Sequence, residues 1–234
     1  MGGLWVDYEL MTTIKGLYAL GKCNFSDHGA NRLGANSLLQ ACVDGYFIAP
    51  STVGNFLAEK IDEPVPDIKS PEFEESAQDV TEGIERILSV NGHKTCDYYH
   101  RALGKILWDA CGISRQAGQL TSAIDQIREL RKKFFEEVKV TGGGHEPNSE
   151  LDKALRVQDY LGLGELMCFD ALNRNESCGA HFRVEYQTDQ GEALRNDNEY
   201  SFVSVWQHTN DGAPDLQKES LEFKFVEMIE RNYQ

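Results

Sequence analysis

An arginine stands inside the run His28-Gly29-Ala30-Asn31-Arg32-Leu33-Gly34-Ala35-Asn36-Ser37-Leu38-Leu39, between a glycine-rich loop and the start of an apolar, helix-spaced segment. A guanidinium can grip a carboxylate through two parallel hydrogen bonds. The spacing predicts a helix that opens at Asn36 or Ser37, and its first-turn N–H groups and partial positive charge favour an anion. Together these features predict an anion site on a rigid element, with Arg32 as its principal contact. Taken by itself, Arg32 reads first as a surface or ion-paired arginine, and it is the surrounding run that turns the reading toward a ligand contact. Asn36 and Ser37 can cap the helix through their side chains, or meet a bound group through their backbone, and the two roles are compatible. His28 either orients the loop and its ligand or is a buried histidine satisfied by a backbone carbonyl, the structural role being favoured.

The elements that must position this loop follow from periodicity. Residues 4–8 and 14–20 read as strands, the second ending at Gly21. Leu38, Leu39, Cys42, Val43, Tyr46 and Phe47 recur at helical spacing. Gly45 and Pro50 are expected to bend that helix, and Val53, Phe56 and Leu57 extend a second helical stretch to Lys60. Residues 61–75, with Pro64, Pro66 and Pro71 among acids, read as a linker. Helices are then expected over Ala77–Val90, Tyr98–Cys111 and Gln119–Val138, and three successive antiparallel helices make a small bundle. Thr141-Gly142-Gly143-Gly144 interrupts the pattern. A fourth helix runs over Leu151–Leu172, capped at Asn148 or Ser149, and strands are expected over 181–186, 202–208 and 221–226. The fold class is therefore α+β and mainly helical. Its units are 1–60, a linker at 61–75, a three-helix bundle over 76–140, and a C-terminal helix with antiparallel strands over 141–234.

The 234 residues, 41% of them hydrophobic, can bury a substantial core. With 38 acidic against 23 basic side chains the net charge is -15, which argues against nucleic acid or an anionic membrane surface as a direct partner. The six cysteines contain no Cys-x-x-Cys pair, so reduced thiols are expected and no metal site within the chain. The apolar run around Tyr46-Phe47-Ile48-Ala49 is too short to span a bilayer, so direct membrane insertion is not expected. Cys178-Gly179-Ala180-His181 reads as structural, because nothing signals a base and an oxyanion site beside it. Gly142-Gly143-Gly144-His145 follows a helix and lacks the lysine and hydroxyl of a phosphate loop.

The run His28–Leu39 closely resembles the signature of succinate dehydrogenase and fumarate reductase flavoprotein subunits. Gly2-Gly3 and Ala19-Leu20-Gly21-Lys22 are similar to the same family, as are Tyr99–Asp109, Leu161–Cys168 and Arg174–Arg183. The resemblance implies that residues 1–60 are the remnant of a FAD-binding domain, followed by the helical bundle and the small C-terminal region. It implies that Arg32, with His28, binds a substrate carboxylate, and that Asn36, Ser37 and Leu38 face the flavin. Lys22 stands where family members carry a glutamate against the ribityl chain, which reverses the charge there; it also reads as an exposed lysine with no cofactor nearby. FAD is the implied cofactor of the complete subunit, and succinate and fumarate its substrates. The implied partners are an iron–sulfur subunit and, through it, a membrane-anchor cytochrome b subunit. That places the protein in the cytoplasm, peripheral on the inner face of the cell membrane. The family's Gly-x-Gly-x-x-Gly turn, the histidine that bonds FAD, the proton-moving arginine and the capping domain have no counterpart in these residues. No catalytic residue is therefore expected in this chain, and the polypeptide alone is expected to be inactive. A different class of function is a non-catalytic helical module that docks on an iron–sulfur or assembly partner.

Overall fold

The computed structural model describes residues 2–25, 28–210, 212–226 and 228–229. The two N-terminal strands do not form. Residues 4–8 and 14–20 make only the isolated bridges Leu4–Asn24 and Met11–Tyr18. Leu10, at φ 66°, and Gly16, at φ 82°, turn the chain back on itself, so neither extended run has a neighbour long enough for a ladder. Single main-chain bonds hold the segment instead, Ala19 N–H to Leu10 O at 3.1 Å and Phe25 N–H to Leu4 O at 2.9 Å. Val6, Leu10 and Ala19 form its small core.

Helix α1 spans Asn36–Val43 and α2 spans Ala49–Ala58. Between them lies a π turn, Asp44–Ile48, whose last bond runs from Ala49 N–H to Asp44 O. Pro50 explains it: the ring has no N–H to give and crowds the preceding turn, so the ladder widens there rather than breaking. The expected bend is thus one extra residue in a turn.

Helix α3 (Pro71–Ser89) begins inside the stretch expected to be a linker. Proline is favoured at the first helical position, where its missing N–H would be unpaired anyway, so residues 71–75 are helical. Helices α4 (Cys96–Ala110), α5 (Ala117–Glu137) and α6 (Ser149–Asn173) follow. Thr95 Oγ1 accepts from Tyr98 N–H at 3.3 Å. Asn148 Oδ1 accepts from the N–H groups of Glu150 and Leu151 at 3.0 and 3.1 Å. Both are N-caps that satisfy first-turn donors.

These helices share one core, running from Ile87 through Tyr99, Leu103, Leu120, Ile127 and Phe134 to Leu161, Cys168 and Ala171. Helix α6 therefore packs as a fourth member beside α4 and α5. Gly164 allows the approach, since a Cβ there would lie 3.2 Å from methyls of both Leu103 and Leu107. Glu165 joins α6 to α5 through ion pairs with Arg128, at 2.7 Å, and Arg131. A two-residue parallel pair, β1 (Lys94–Thr95) with β2 (Val138–Lys139), sets the start of α4 beside the end of α5.

In the C-terminal region, 181–186 is not a strand but a series of turns and single bridges. A short α7 (Asp197–Tyr200) precedes an antiparallel ribbon of β3 (Phe202–Gln207) and β4 (Asp215–Ser220). The third strand was expected over 221–226. The turn after Gln207 instead pairs Phe202 with Ser220 and Gln207 with Asp215, and β4, whose residues are mostly polar, carries no alternation to reveal it. The ribbon is fixed to the bundle by the Trp206 indole, which donates to Asp170 Oδ1 at 2.7 Å. Among the described residues, no helix is long and apolar enough to cross a membrane.

Candidate functional site

The loop 28–35 leads straight into α1, and α1 opens at Asn36. The side-chain capping read from Asn36 and Ser37 is not what closes the helix. The N-cap residue is Ala35, in a left-handed conformation at φ 63°, and no side chain caps it. Its carbonyl accepts from Leu38 N–H at 3.1 Å and Leu39 N–H at 3.3 Å, so Asn36 and Ser37 carry the N–H groups ahead of the first intrahelical bond. Arg32, Asn36 and Leu38 are exposed along this junction, Leu38 by 71%. Ser37 is buried. His28 is half-buried at the head of the loop. Space is open where side chains at Gly29 and Gly34 would point.

Lys22 is exposed on a 3-10 turn, Gly21–Cys23, that packs against α1. Gly21 lies against Ala41, where a Cβ would come within 3.2 Å of the Ala41 methyl. Ala41 is five residues into α1, so this turn is about 8 Å along the axis from the helix start. Arg32 precedes the helix start, Asn36 and Leu38 lie in its first turn, and Lys22 stands farther along it. Asp44 is a residue that periodicity did not single out. It is buried, and its Oδ2 accepts from Gly21 N–H at 2.9 Å. A lone acid inside an apolar run was its only signal.

The C-terminal turn also reaches this loop. Ala180 N–H donates to Ala30 O at 3.1 Å. Gly179, at φ +60°, lies so close that a Cβ would sit 2.5 Å from the Ala30 carbonyl carbon and oxygen. The turn is closed by Cys178 N–H to His181 O at 2.8 Å and His181 N–H to Cys178 O at 3.0 Å. The His181 ring lies between Arg115 Nη1, 2.7 Å from Nδ1, and Arg174 O, 3.0 Å from Nε2. Arginine only donates, so Nδ1 accepts and Nε2–H donates, which fixes a neutral tautomer. Arg183, 2% exposed, gives its Nη1 to Ala171 O at 3.0 Å and Leu172 O at 3.2 Å, closing the end of α6.

Burial holds the His181 pKa below its ordinary value, helped by the Arg115 and Arg183 cations and opposed by the Arg174 carbonyl and Asp170. The folded state thus favours neutral imidazole more than the unfolded chain does. Its contribution to stability is complete above about pH 6.5 and is lost as pH falls through the lowered folded-state pKa. Urea unfolding at pH 7 and pH 5 should show the wild-type chain losing more stability than His181→Asn over that interval. Equal losses would mean that His181 is not titrating.

Among the described residues no group of three or more His, Cys, Asp or Glu side chains is placed to hold a metal ion. All six cysteines are free thiols.

A four-helix core closed by a small ribbon, beside an arginine loop that runs into an uncapped helix, is the architecture of the C-terminal region of FAD-dependent reductase and dehydrogenase subunits. A quinol–fumarate reductase solved with menaquinol molecules superposes with a TM-score of 0.81 at 26% identity, over 96% of this chain and 37% of that one. The chain belongs to the fumarate reductase flavoprotein C-terminal family, whose model matches residues 100–233. A FAD-binding domain model matches residues 1–38. The succinate dehydrogenase flavoprotein subunit of Bacillus subtilis is 30% identical over the whole chain, which covers 38% of that protein. The fumarate reductase flavoprotein subunit of Haemophilus influenzae is 28% identical over 93% of the chain, or 34% of its own length. The chain therefore spans roughly a third of the length of the relatives it matches, 38% of the first and 31% of an L-aspartate oxidase of Yersinia pestis.

The residues present fit one edge of a flavin. Reduced flavin gathers negative charge near N1 and its C2 carbonyl. The α1 start offers N–H groups with no side-chain cap, and the loop ahead of it is open at Gly29 and Gly34.

Proposed function

We propose that this chain supplies the dicarboxylate-gripping arginine and the flavin-facing helix start of a subunit that interconverts succinate and fumarate. The observation that carries the reading is the exposed Arg32, four residues ahead of a helix whose first N–H groups no side chain caps. Arg32 binds one substrate carboxylate with two parallel hydrogen bonds, and His28 orients the loop toward it. The N–H groups at Asn36 and Ser37, with the helix dipole, favour negative charge on the facing edge of the flavin and so raise its reduction potential, with the exposed Leu38 beside them against the ring. FAD, when bound in the complete subunit, supplies the hydride acceptor and donor; this chain's residues bind and orient.

On this reading residues 1–60 complete a FAD-binding domain, and the segment 61–75, already helical from Pro71, leads from it to the helical and C-terminal units at 76–140 and 141–234. Leu33, Leu38, Leu39, Tyr46 and Phe47 are strongly exposed, as expected of a surface that further polypeptide covers. No residue of this chain moves the proton, so the chain alone does not turn over. Electrons pass from the complete subunit to an iron–sulfur subunit and on to a membrane-anchor cytochrome b subunit, which holds the assembly at the inner face of the cell membrane.

Titration of the chain with malonate, a succinate-like dicarboxylate, tests the arginine's role. Arg32→Lys should bind malonate at least about tenfold more weakly, because a single ammonium loses the bidentate geometry. Equal affinities would remove Arg32 from the site.

Lys22 favours a second reading, since it puts a cation where the family has a flavin-binding glutamate. In that reading the chain is a non-catalytic module on an iron–sulfur or assembly partner. Co-purification with such a partner and no flavin absorbance would support it; a stoichiometric flavin spectrum would exclude it.

A further inference from the structure

The residues that could touch a ligand lie in 22–38, yet the shape of their loop is decided more than 140 residues later. Ala30 is two residues before Arg32, and Gly179 and Ala180 of the C-terminal turn lie against it. We infer that the turn Cys178–His181 is a clamp that fixes the conformation of the Arg32 loop, with Gly179 and His181 as positioning residues.

Three observations carry this. First, Ala180 N–H bonds to Ala30 O at 3.1 Å, a main-chain link that no surface substitution can replace. Second, Gly179 holds a left-handed φ of +60° and leaves no room for a Cβ, which would meet the Ala30 carbon and oxygen at 2.5 Å and its methyl at 2.7 Å. The carbon and oxygen are backbone, so any side chain at 179 must push the whole loop aside rather than a flexible tip. Third, the turn itself is anchored to the bundle. His181 bridges Arg115 and the Arg174 carbonyl, while Arg115 N–H bonds Phe182 O at 3.0 Å and Val184 N–H bonds Arg115 O at 2.9 Å. Ser177 Oγ and the Arg183 backbone exchange bonds at 3.1 and 2.8 Å.

A rigid bundle thus holds a rigid turn, and the turn holds Ala30. The spacing between Arg32 and the α1 start is then set from both sides: by the helix through Ala35, and by the C-terminal turn through Ala30. A bidentate grip depends on such placement, because ångström-scale displacement of a positioning group weakens it by large factors. The clamp's effect on ligand binding rests on the role assigned to Arg32 above; its effect on the loop does not.

The test is hydrogen–deuterium exchange on the whole chain, paired with malonate titration, for wild type, Gly179→Ala, His181→Asn and Arg32→Lys. Gly179→Ala should speed exchange of the Ala180 amide and of a peptide covering 28–35 by at least about tenfold, with α5 amides unchanged. Malonate affinity should fall by a similar factor. His181→Asn keeps Ala30 untouched and should shift the same peptide in the same direction, by less. Unchanged exchange over 28–35 in both variants overturns the clamp. Faster exchange there that is matched across α5 in both variants overturns it too, since the effect is then global. Arg32→Lys should leave the 28–35 exchange as in wild type and lower only malonate affinity. If it leaves that affinity unchanged, the arginine's role falls while the clamp is still judged from exchange.

Discussion

Arg183→Met should lower the unfolding free energy by about 3 kcal/mol, the cost of leaving two helix-end carbonyls buried without donors. Arg183 is almost wholly buried, and its guanidinium serves Ala171 O, Leu172 O and Glu185 Oε2 at once. Glu185 is partly exposed, with 38% of its side chain accessible, and can turn to water when the cation goes. The last carbonyls of α6 have no such route, which is why the loss falls on the helix end rather than on the ion pair. Methionine keeps most of the volume, so the change measures lost hydrogen bonds more than a cavity. Urea unfolding followed by circular dichroism would read it, and a loss below about 1 kcal/mol would show that those carbonyls are satisfied another way. Arg183→Lys should recover little, because one ammonium cannot present the guanidinium's separated N–H groups to carboxylate and carbonyls together.

Phe134→Ala should cost about 3–5 kcal/mol, the range for deleting a buried aromatic ring and leaving the space unfilled. Phe134 is fully buried at the centre of the bundle. Its ring meets Tyr99 edge-on at 5.3 Å and Phe135 at 5.2 Å. The site cannot collapse easily, because Tyr99 is held by its hydroxyl bond to Lys133 O at 2.9 Å. For a chain of this length the loss corresponds to a fall in Tm of roughly 10 °C. Tyr99→Phe is the companion variant: it keeps the ring and removes one hydrogen bond, and should cost about 1 kcal/mol. If the two variants fell equally, the hydroxyl and not the ring packing would be holding α4 to α5.

The helices of the bundle were legible in the sequence; that α6 joins them as a fourth member was not. Leu120, Ile124, Ile127 and Phe134 repeat at helical spacing and all face the core, since burying one stripe is what a helix of that pattern does. Asn148 announced the start of α6 and caps it. The run 28–39 resembled the family in its own residues, and a FAD-binding domain model reaches across it to residue 38. Where the sequence misled, the deciding contact was distant. Residues 4–8 and 14–20 have strand composition, but strands need partners, and Leu10 and Gly16 turn those runs into bends. Residues 181–186 alternate like a strand, yet their backbone groups are taken by Arg115 and by their own turns. Pro71 looked like linker and instead opens α3. Above all, no local pattern could say that Gly179 and Ala180 lie on Ala30. Periodicity reports which face of an element is buried, and not what that face meets. Only the tertiary structure brought the C-terminal turn to the arginine loop, by carrying α6 back along the bundle and closing its end with Arg183.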